Sequence, residues 1–451
     1  MLEIISLLAC LNPVLNYTSM RQLACISEAM LAISGRVTML GLSRWTSEGG
    51  SYRTIQRFFS TKFNWPLIRW LFVRNNLLED KNDVILITGD EVNVTKSGKK
   101  TYGIGRFFSS LYGKVVPSLY FLNLSLTSVK NHSSHPIVVE QITPDLMESK
   151  KDEAKSVNKK GKKAKPGRPS GSKNKNRKDV ELSPYLKFVQ NALKGLLTLV
   201  NTDITLAYFV FDGAFGNNDA LQMVRQCSRL HMISKMRHDS ALYLPYSGKY
   251  SGKGRKRIYG KKLDYDNLPN KYLKSTSFDN DICTCIYQMN VLHKLFADIL
   301  NVVIIVKTNM KTGKTAHIIL FSSDLELGYD KLIEYYQLRF QIEFNFRDAK
   351  QFWGLEDFMN IKPEQVYNAA NLSMFMVILS QALLREKTGV FGQSINDLKA
   401  WFRASKYVQT ILNLLGQNPD PILIENVTIQ ASQMGRVNPI LDPVSQGEIS
   451  L

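Results

Sequence analysis

Two short apolar runs in this chain each close on an aspartate. DVILITGDE (83–91) reads as a strand that ends at Asp90, and LAYFVFDGAF (206–215) as a strand that ends at Asp212. Continuous β-branched and aromatic runs of this length fit central strands buried on both faces. Further strands are predicted at TYGIGRFFS, VVPSLYFLNLSL, LHMISKM, FADILNVVIIVKTN and TAHIILFSS. Helical spacing marks residues 1–80, 183–199, NNDALQMVRQCS, 336–350, 363–386 and 394–415, followed by a polar, Pro-containing and loosely ordered tail.

The 336–350 segment, YQLRFQIEFNFRDAK, carries the densest chemistry. On one continuous helix at about 100° per residue, Tyr336, Arg339, Glu343 and Lys350 share a stripe roughly 60° wide, and Arg347 falls beside it. Leu338, Ile342, Phe346 and Ala349 lie opposite and would seat the helix on a core. A plain Arg339–Glu343 ion pair would explain two of these residues for a few tenths of a kcal/mol. A carboxylate flanked by cations also suits a metal-assisted phosphodiester enzyme, where the carboxylate holds a divalent ion and the cations grip phosphates.

Asp90 and Asp212 weigh on that choice. In open α/β sheets ligands sit at the carboxyl ends of strands. A lone Asp after a strand is more often a turn or cap residue. Two of them with a Glu on a later helix can hold two hard cations. Asp212 is followed by Gly213, which permits close backbone approach and a sharp exit from the strand. Glu91 could be a fourth ligand, but reads rather as a supporting or exposed residue.

Asp90, then DGAF from Asp212, then Tyr336-x2-Arg339-x3-Glu343-x6-Lys350 resemble the DDE transposases of bacterial insertion sequences, within them the insertion sequence four family. KQFWGLEDF (350–358) resembles the segment that follows the Glu helix in such enzymes. The resemblance covers roughly 80–385. It implies an α/β, ribonuclease H-like catalytic core with a β-rich insertion, plus helical N-terminal and C-terminal regions. It further implies that Asp90, Asp212 and Glu343 are the catalytic residues and bind two Mg²⁺ (or Mn²⁺) ions. Tyr336, Arg339, Lys350 and Arg347 would then hold DNA phosphates, and a homodimer would pair two element ends on double-stranded DNA.

The implied organisation is a helical DNA-binding region (1–80), a first core part (81–238), an insertion (239–300), a second core part (301–385) and a C-terminal region (386–451). Charge supports a polyanionic partner: Lys and Arg number 58 against 39 Asp and Glu, a formal net charge of +19. Residues 150–178 hold thirteen Lys or Arg against two Asp or Glu, so this linker alone accounts for +11. Its PGRPSGSKNK, with Arg168, resembles an AT-hook for A·T-rich minor grooves; the alternative is a solvated basic linker without preference. In the N-terminal region, Ser51 is a fair N-cap, and Arg53 and Arg57 share one side of a helix. That helix is either the DNA-reading half of a helix–turn–helix or a surface amphipathic helix. In the insertion, Arg255 and Arg257 stand among Tyr243, Tyr246, Tyr250 and Tyr259; cations grip phosphates, and aromatics can stack on unpaired bases. The alternative is a basic hairpin with ordinary tyrosine packing, and the insertion holds no tryptophan for a stacking role.

The five cysteines are scattered and odd in number, which fits reduced thiols in a cytoplasm; the resemblance implies that this is a bacterial cytoplasm, with the protein on the nucleoid. His132 and His135 read as exposed residues of a polar loop, NHSSH. No uninterrupted apolar stretch reaches the length of a spanning helix, so no membrane is expected. Two other classes stay open on these residues: a ribonuclease H-fold nuclease without strand transfer, and a non-catalytic DNA-binding protein derived from a transposase.

Overall fold

The computed structural model describes residues 2–438 apart from 47–48, 79, 81, 110–111, 147–175, 201–202, 251, 253 and 387–390. A helical N-terminal region comprises α1 (Leu2–Leu8), α2 (Tyr17–Ala32), α3 (Met39–Trp45), α4 (Tyr52–Ser60) and α5 (Trp65–Asn76). Side chains start most of them: Asn16, Thr38, Ser51 and Asn64 each accept a backbone N–H of the helix that follows.

Strand β1 (Ile85–Thr95) lies at the centre of the core. β3 (Lys114–Ser128) pairs with it antiparallel, β2 (Gly105–Ser109) and β4 (Ser133–Ile142) flank β3, and β5 (Leu206–Val210) runs parallel on the other side. β6 (His231–Met236) continues parallel to β5. The order β4-β3-β1-β5-β6, antiparallel on one side of β1 and parallel on the other, is the order expected of a ribonuclease H-like core. Helices α6 (Pro184–Val200) and α7 (Asn218–Cys227) connect and cover these strands.

The sheet does not stop at β6. β7 (Leu242–Pro245), β8 (Tyr259–Lys262), β9 (Leu273–Asp279), β10 (Ile282–His293), β11 (Leu300–Asn309) and β12 (Thr315–Ser322) extend it, with β12 pairing antiparallel to β6. Among the described residues the result is one 12-stranded mixed sheet. The chain then runs through α8 (Tyr329–Leu338), α9 (Gln341–Gln351), α10 (Pro363–Glu386), α11 (Ile395–Leu415) and α12 (Pro421–Gln433). Leu86, Val210, Ile233 and Leu320 of the sheet share a core with Leu332, Tyr335 and Leu338 of α8.

Several expectations need correction. Asp90 does not end its strand: β3 supplies partners all the way to Thr95, so β1 runs five residues past Asp90. Residues 336–350 are not one helix. The backbone stays right-handed at Arg339 and Phe340, but Phe340, Ile342 and Glu343 donate to carbonyls three residues back, which tightens the chain into a turn between α8 and α9. The opposite side is buried as expected, at Leu338, Ile342, Phe346 and Ala349.

His135 is not in an exposed loop. It is buried in β4, bonded through Nδ1 to Gln381 Oε1 at 2.8 Å, and burial pushes its imidazole down to about 4. His132 alone makes the turn, with φ of 49°. The tail holds a helix, α12, because Asp420 caps it and Pro421 starts it. One described helix, α10, is long and apolar enough to cross a membrane by length and composition. It is buried within the fold, packed by α4, α5, α9 and β4, so an apolar surface on every side serves a core.

Candidate active site

Register brings the two aspartates together. Thr88 of β1 pairs in parallel with Val210 of β5, the last pair of that ladder, and two residues further on Asp90 and Asp212 come near enough for the charge of one to act on the other. Side chains alternate along a strand, and both aspartates fall on the face that α8 covers, with Leu86 and Val210. Gly89 makes room beneath: a Cβ there would lie 2.4 Å from the Phe211 ring. Past Phe211 the chain leaves the strand, and Asp212 caps a short turn, its Oδ1 accepting Ala214 N at 3.0 Å. Gly213 is not the residue that needs close approach, since a Cβ there would meet Lys235 O at an ordinary 3.5 Å. Gly216 is, because its Cβ would fall 2.2 Å from that same oxygen.

The turn between α8 and α9 delivers the third carboxylate. Arg339 Nη1 donates to Asp90 Oδ2 at 2.7 Å, and its Nη2 donates to Glu343 Oε1 at 3.3 Å. The ion pair weighed from the sequence therefore exists, and it joins Glu343 to Asp90. Burial pushes the Asp90 carboxyl up to about 6; Arg339 pulls it back, and the charges of Asp212 and Glu343 add to the rise. Burial alone would lower the Arg339 guanidinium, but Asp90, Tyr336, Glu343 and Asp212 outweigh it and hold it above its ordinary range. Burial likewise raises the Tyr336 hydroxyl, with Arg339 opposing. Tyr336, Arg339 and Asp212 line one cleft of about 460 Å³ with Lys235, Arg237 and His317.

Lys350 points elsewhere. Its Nζ donates to Asn93 O of β1 at 2.7 Å and lies 3.7 Å from Glu356. Burial lowers its ammonium, with Glu356 opposing. Arg347 is exposed, bonded to Asp348 and lying 4.8 Å from the Phe344 ring centre. Glu91 accepts from Tyr120 Oη at 2.8 Å, and alternation along β1 sets it on the face opposite Asp90.

Two supports of the site were not visible in the sequence. Asn345 of α9 is buried and donates to Ser134 Oγ at 3.0 Å; Thr127 and Thr88 continue this chain of hydroxyls to β1. Lys96, just past β1, is buried and donates to Leu355 O and Glu356 O, 3.6 Å from the Phe358 ring centre. Lys96 and Lys350 thus tie β1 and the α9 segment to each other in opposite directions. Buried Asn and Lys in amphipathic contexts were the only hint.

The other candidates lie apart from the carboxylates. Arg53 and Arg57 are exposed on α4, whose Ile55, Phe58 and Phe59 are buried. Arg255 and Arg257 line a cleft of about 890 Å³ with Arg177, Lys178 and Tyr259. Arg257 also lies over the Tyr246 ring, 5.0 Å from its centre. Cys283 and Cys285 share a face of β10 with their sulfurs 3.9 Å apart. Arg168 and most of the basic linker lie outside the described residues.

The donor set fits hard divalent cations: three carboxylates and no soft ligand. As the side chains stand, no three His, Cys, Asp or Glu among the described residues close around a metal position. Arg339 fills the interval between Asp90 and Glu343, and its buried Nε has no hydrogen-bond partner. The pocket therefore already places a cation between two of its three carboxylates, and that cation is held by an incomplete set of bonds.

Residues 189–379 match the family described as transposase DDE domain, and residues 7–278 match the DDE superfamily endonuclease family. No curated protein matches the chain. DDE domains are ribonuclease H-like, generally use divalent metal ions and act on DNA, which agrees with the sheet order and the carboxylate pair. The DDE superfamily endonuclease match spans more than half of the 451 residues, and the chain belongs to the DDE superfamily of endonucleases.

Proposed function

We propose that this protein is a DNA transposase of the insertion sequence four family, which cleaves the ends of its element and joins them to target DNA. The observation that carries the proposal is the placement of Asp90 beside Asp212, with Arg339 linking Asp90 to Glu343. Asp90, Asp212 and Glu343 would hold two Mg²⁺ or Mn²⁺ ions. When bound, such ions activate water or a DNA 3′-hydroxyl and stabilise the leaving oxygen of an in-line displacement.

The chain's own groups do the rest. Tyr336 and Arg339 face the Asp212 cleft and bind phosphate next to the scissile bond, Arg as a fork and Tyr as a single donor. Lys350 contributes positive charge at the far end of α9 while holding that helix to β1. Lys235 and Arg237 lend the cleft further attraction for a polyanion. Arg53 and Arg57 on α4 contact the element ends; Arg168, Arg255, Arg257 and Arg347 add backbone contacts. The segments 1–80, 81–238, 239–300, 301–385 and 386–451 serve as end-binding region, first core part, insertion, second core part and C-terminal region. Two copies pair two ends.

The test is divalent-dependent nicking of DNA that carries the element's terminal inverted repeats, followed by a strand-transfer assay. Wild type should nick and join, whereas Asp212→Asn and Glu343→Gln should bind the ends and do neither. Nicking that survives in both variants overturns the site. Nicking without joining leaves a nuclease.

A further inference from the structure

We infer that Asp357 is a positioning residue, the joint through which the N-terminal helices set the placement of α9 and Glu343. This rests on the roles proposed above for α4 and for the carboxylates, and it names how the two are connected.

The chain after α9 is firmly fastened. Leu355 N bonds back to Ala349 O at 3.0 Å, and Trp353 O accepts Ser373 Oγ of α10 at 2.8 Å. Trp353 and Leu355 are fully buried. Lys350 and Lys96 tie the same stretch to β1, and further along Tyr102 N donates to Asn360 O at 3.2 Å. Residues 350–360 thus form a strap continuous with α9. Close-packed interiors transmit strain, so a displaced strap displaces the helix that carries Glu343.

The strap also meets the N-terminal region. Asp357 Oδ2 accepts Val37 N at 2.8 Å, across 320 residues of sequence. Gly354, at φ of 71°, comes as close: a Cβ there would lie 2.4 Å from Val37 Cβ. Thr38, the next residue, caps α3, its Oγ1 accepting Gly41 N at 3.0 Å. Val37 is therefore held by the strap and leads straight into α3. In turn α3 packs on α4, where Arg53 and Arg57 are exposed.

Around this bond the packing is incomplete. A cavity of about 290 Å³ lies between Val37, Leu42, Tyr52 and Phe59 of the N-terminal region and Trp353 and Phe358 of the strap. The buried Trp353 Nε1 has no hydrogen-bond partner. Protein interiors leave few voids larger than a water molecule, and this one gives α3 and α4 room to shift against the strap. Asp357 turns such a shift into a pull, because its bond crosses from one side of the joint to the other. Tyr52 lines the cavity and begins the helix that carries Arg53 and Arg57, so DNA held on α4 would bear on the joint directly.

Binding of the full chain to element-end DNA, measured with and without Ca²⁺, tests the assignment. Ca²⁺ takes oxygen ligands and serves as the probe for the carboxylates. Coupling between two sites is reciprocal, so Ca²⁺ should tighten end binding by wild type about fivefold or more. In Asp357→Leu that gain should vanish, while end affinity without Ca²⁺ stays within about twofold of wild type. Asp357→Asn keeps an acceptor oxygen and should retain the gain. A wild type without the gain, an Asp357→Leu variant that keeps it, or an Asp357→Asn variant that lacks it overturns the inference. So does equal weakening of end binding by Asp357→Leu with and without Ca²⁺, the mark of a merely structural bond. Urea unfolding without DNA separates the causes of failure. If Ca²⁺ stabilises wild type there, the carboxylate reading stands and only the joint falls; if it does not, the carboxylate reading falls as well.

Discussion

Replacing Asp90 by Asn tests whether the site holds destabilisation that a cation relieves. Burial pushes the carboxyl from 3.8 up to about 6, even with Arg339 Nη1 2.7 Å away. Between those values the folded chain binds the proton more tightly than the unfolded chain does. The group's stabilising contribution is therefore full below about pH 4 and is lost as pH rises through about 6. The interval converts to about 3 kcal/mol at most. The carboxyl is 19% exposed, and water reaching it trims the figure to roughly 1.5–3 kcal/mol. Asparagine does not titrate. In chelator, the unfolding free energy of wild type relative to Asp90→Asn should fall by roughly 1.5–3 kcal/mol between about pH 4 and about pH 8. The fixed cost of leaving Arg339 without its partner cancels in that difference. Denaturant titrations at both pH values measure it. Adding Mg²⁺ at the higher pH should restore stability to wild type and not to the variant. Parallel pH curves for the two proteins would refute the reasoning.

Further outcomes follow from the same contacts. Arg339→Gln removes the charge that holds Asp90 down, so the acidic limb of the nicking rate should move up by about 1–3 pH units; an unmoved pH profile counts against it. Asn345→Leu breaks the bond to Ser134 and should cost about 1–2 kcal/mol in urea unfolding while lowering nicking more than end binding. Equal losses in nicking and binding would show that α9 does not depend on this anchor. Burial lowers the Lys96 ammonium to about 7, with Asp357 and Glu356 opposing, so the unfolded chain binds the extra proton between about 7 and 10.5. Wild-type stability should therefore rise with pH across that window relative to Lys96→Met, as paired thermal scans would show. Arg53→Ala with Arg57→Ala should weaken end binding and reduce its log–log salt slope by about 0.9 per lost phosphate contact; binding isotherms at several salt concentrations decide it.

Much of the fold could be read along the chain because its strands are long and apolar. The runs around Ile85 and Phe209 marked central strands, and the β1–β5 register explains why two aspartates so far apart in sequence stand together. What was hidden depended on distant partners. Asp90 reads as a strand end because Asp-Glu-Val-Asn is polar, yet the antiparallel edge of β3 keeps that stretch extended to Thr95. His135 reads as a loop residue because Asn131 to Ser134 are polar. Its burial comes from α10, whose Gln381 supplies the bond that a buried imidazole requires. The α12 helix was obscured by a composition suited to a tail, and its apolar residues face away from the chain's own core.

Arg339 shows most clearly what spacing cannot decide. On an ideal helix its distance from Glu343 fits both a surface ion pair and a phosphate grip, and the residues alone cannot choose. The turn between α8 and α9 moves Arg339 into reach of Asp90, where it meets two carboxylates at once and is 14% exposed. A divalent ion and a guanidinium are alternatives on those oxygens, because Asp90 Oδ1 already accepts Glu91 N and only Oδ2 faces Arg339. Two cations on one oxygen would repel each other in a poorly solvated site. If these carboxylates hold a metal as proposed, the guanidinium would have to leave them, and the cleft that it lines opens toward Asp212 and Tyr336. Under the proposed function the ion pair and the phosphate grip would be two successive states of one side chain, and the turn that breaks the helix would let it serve both.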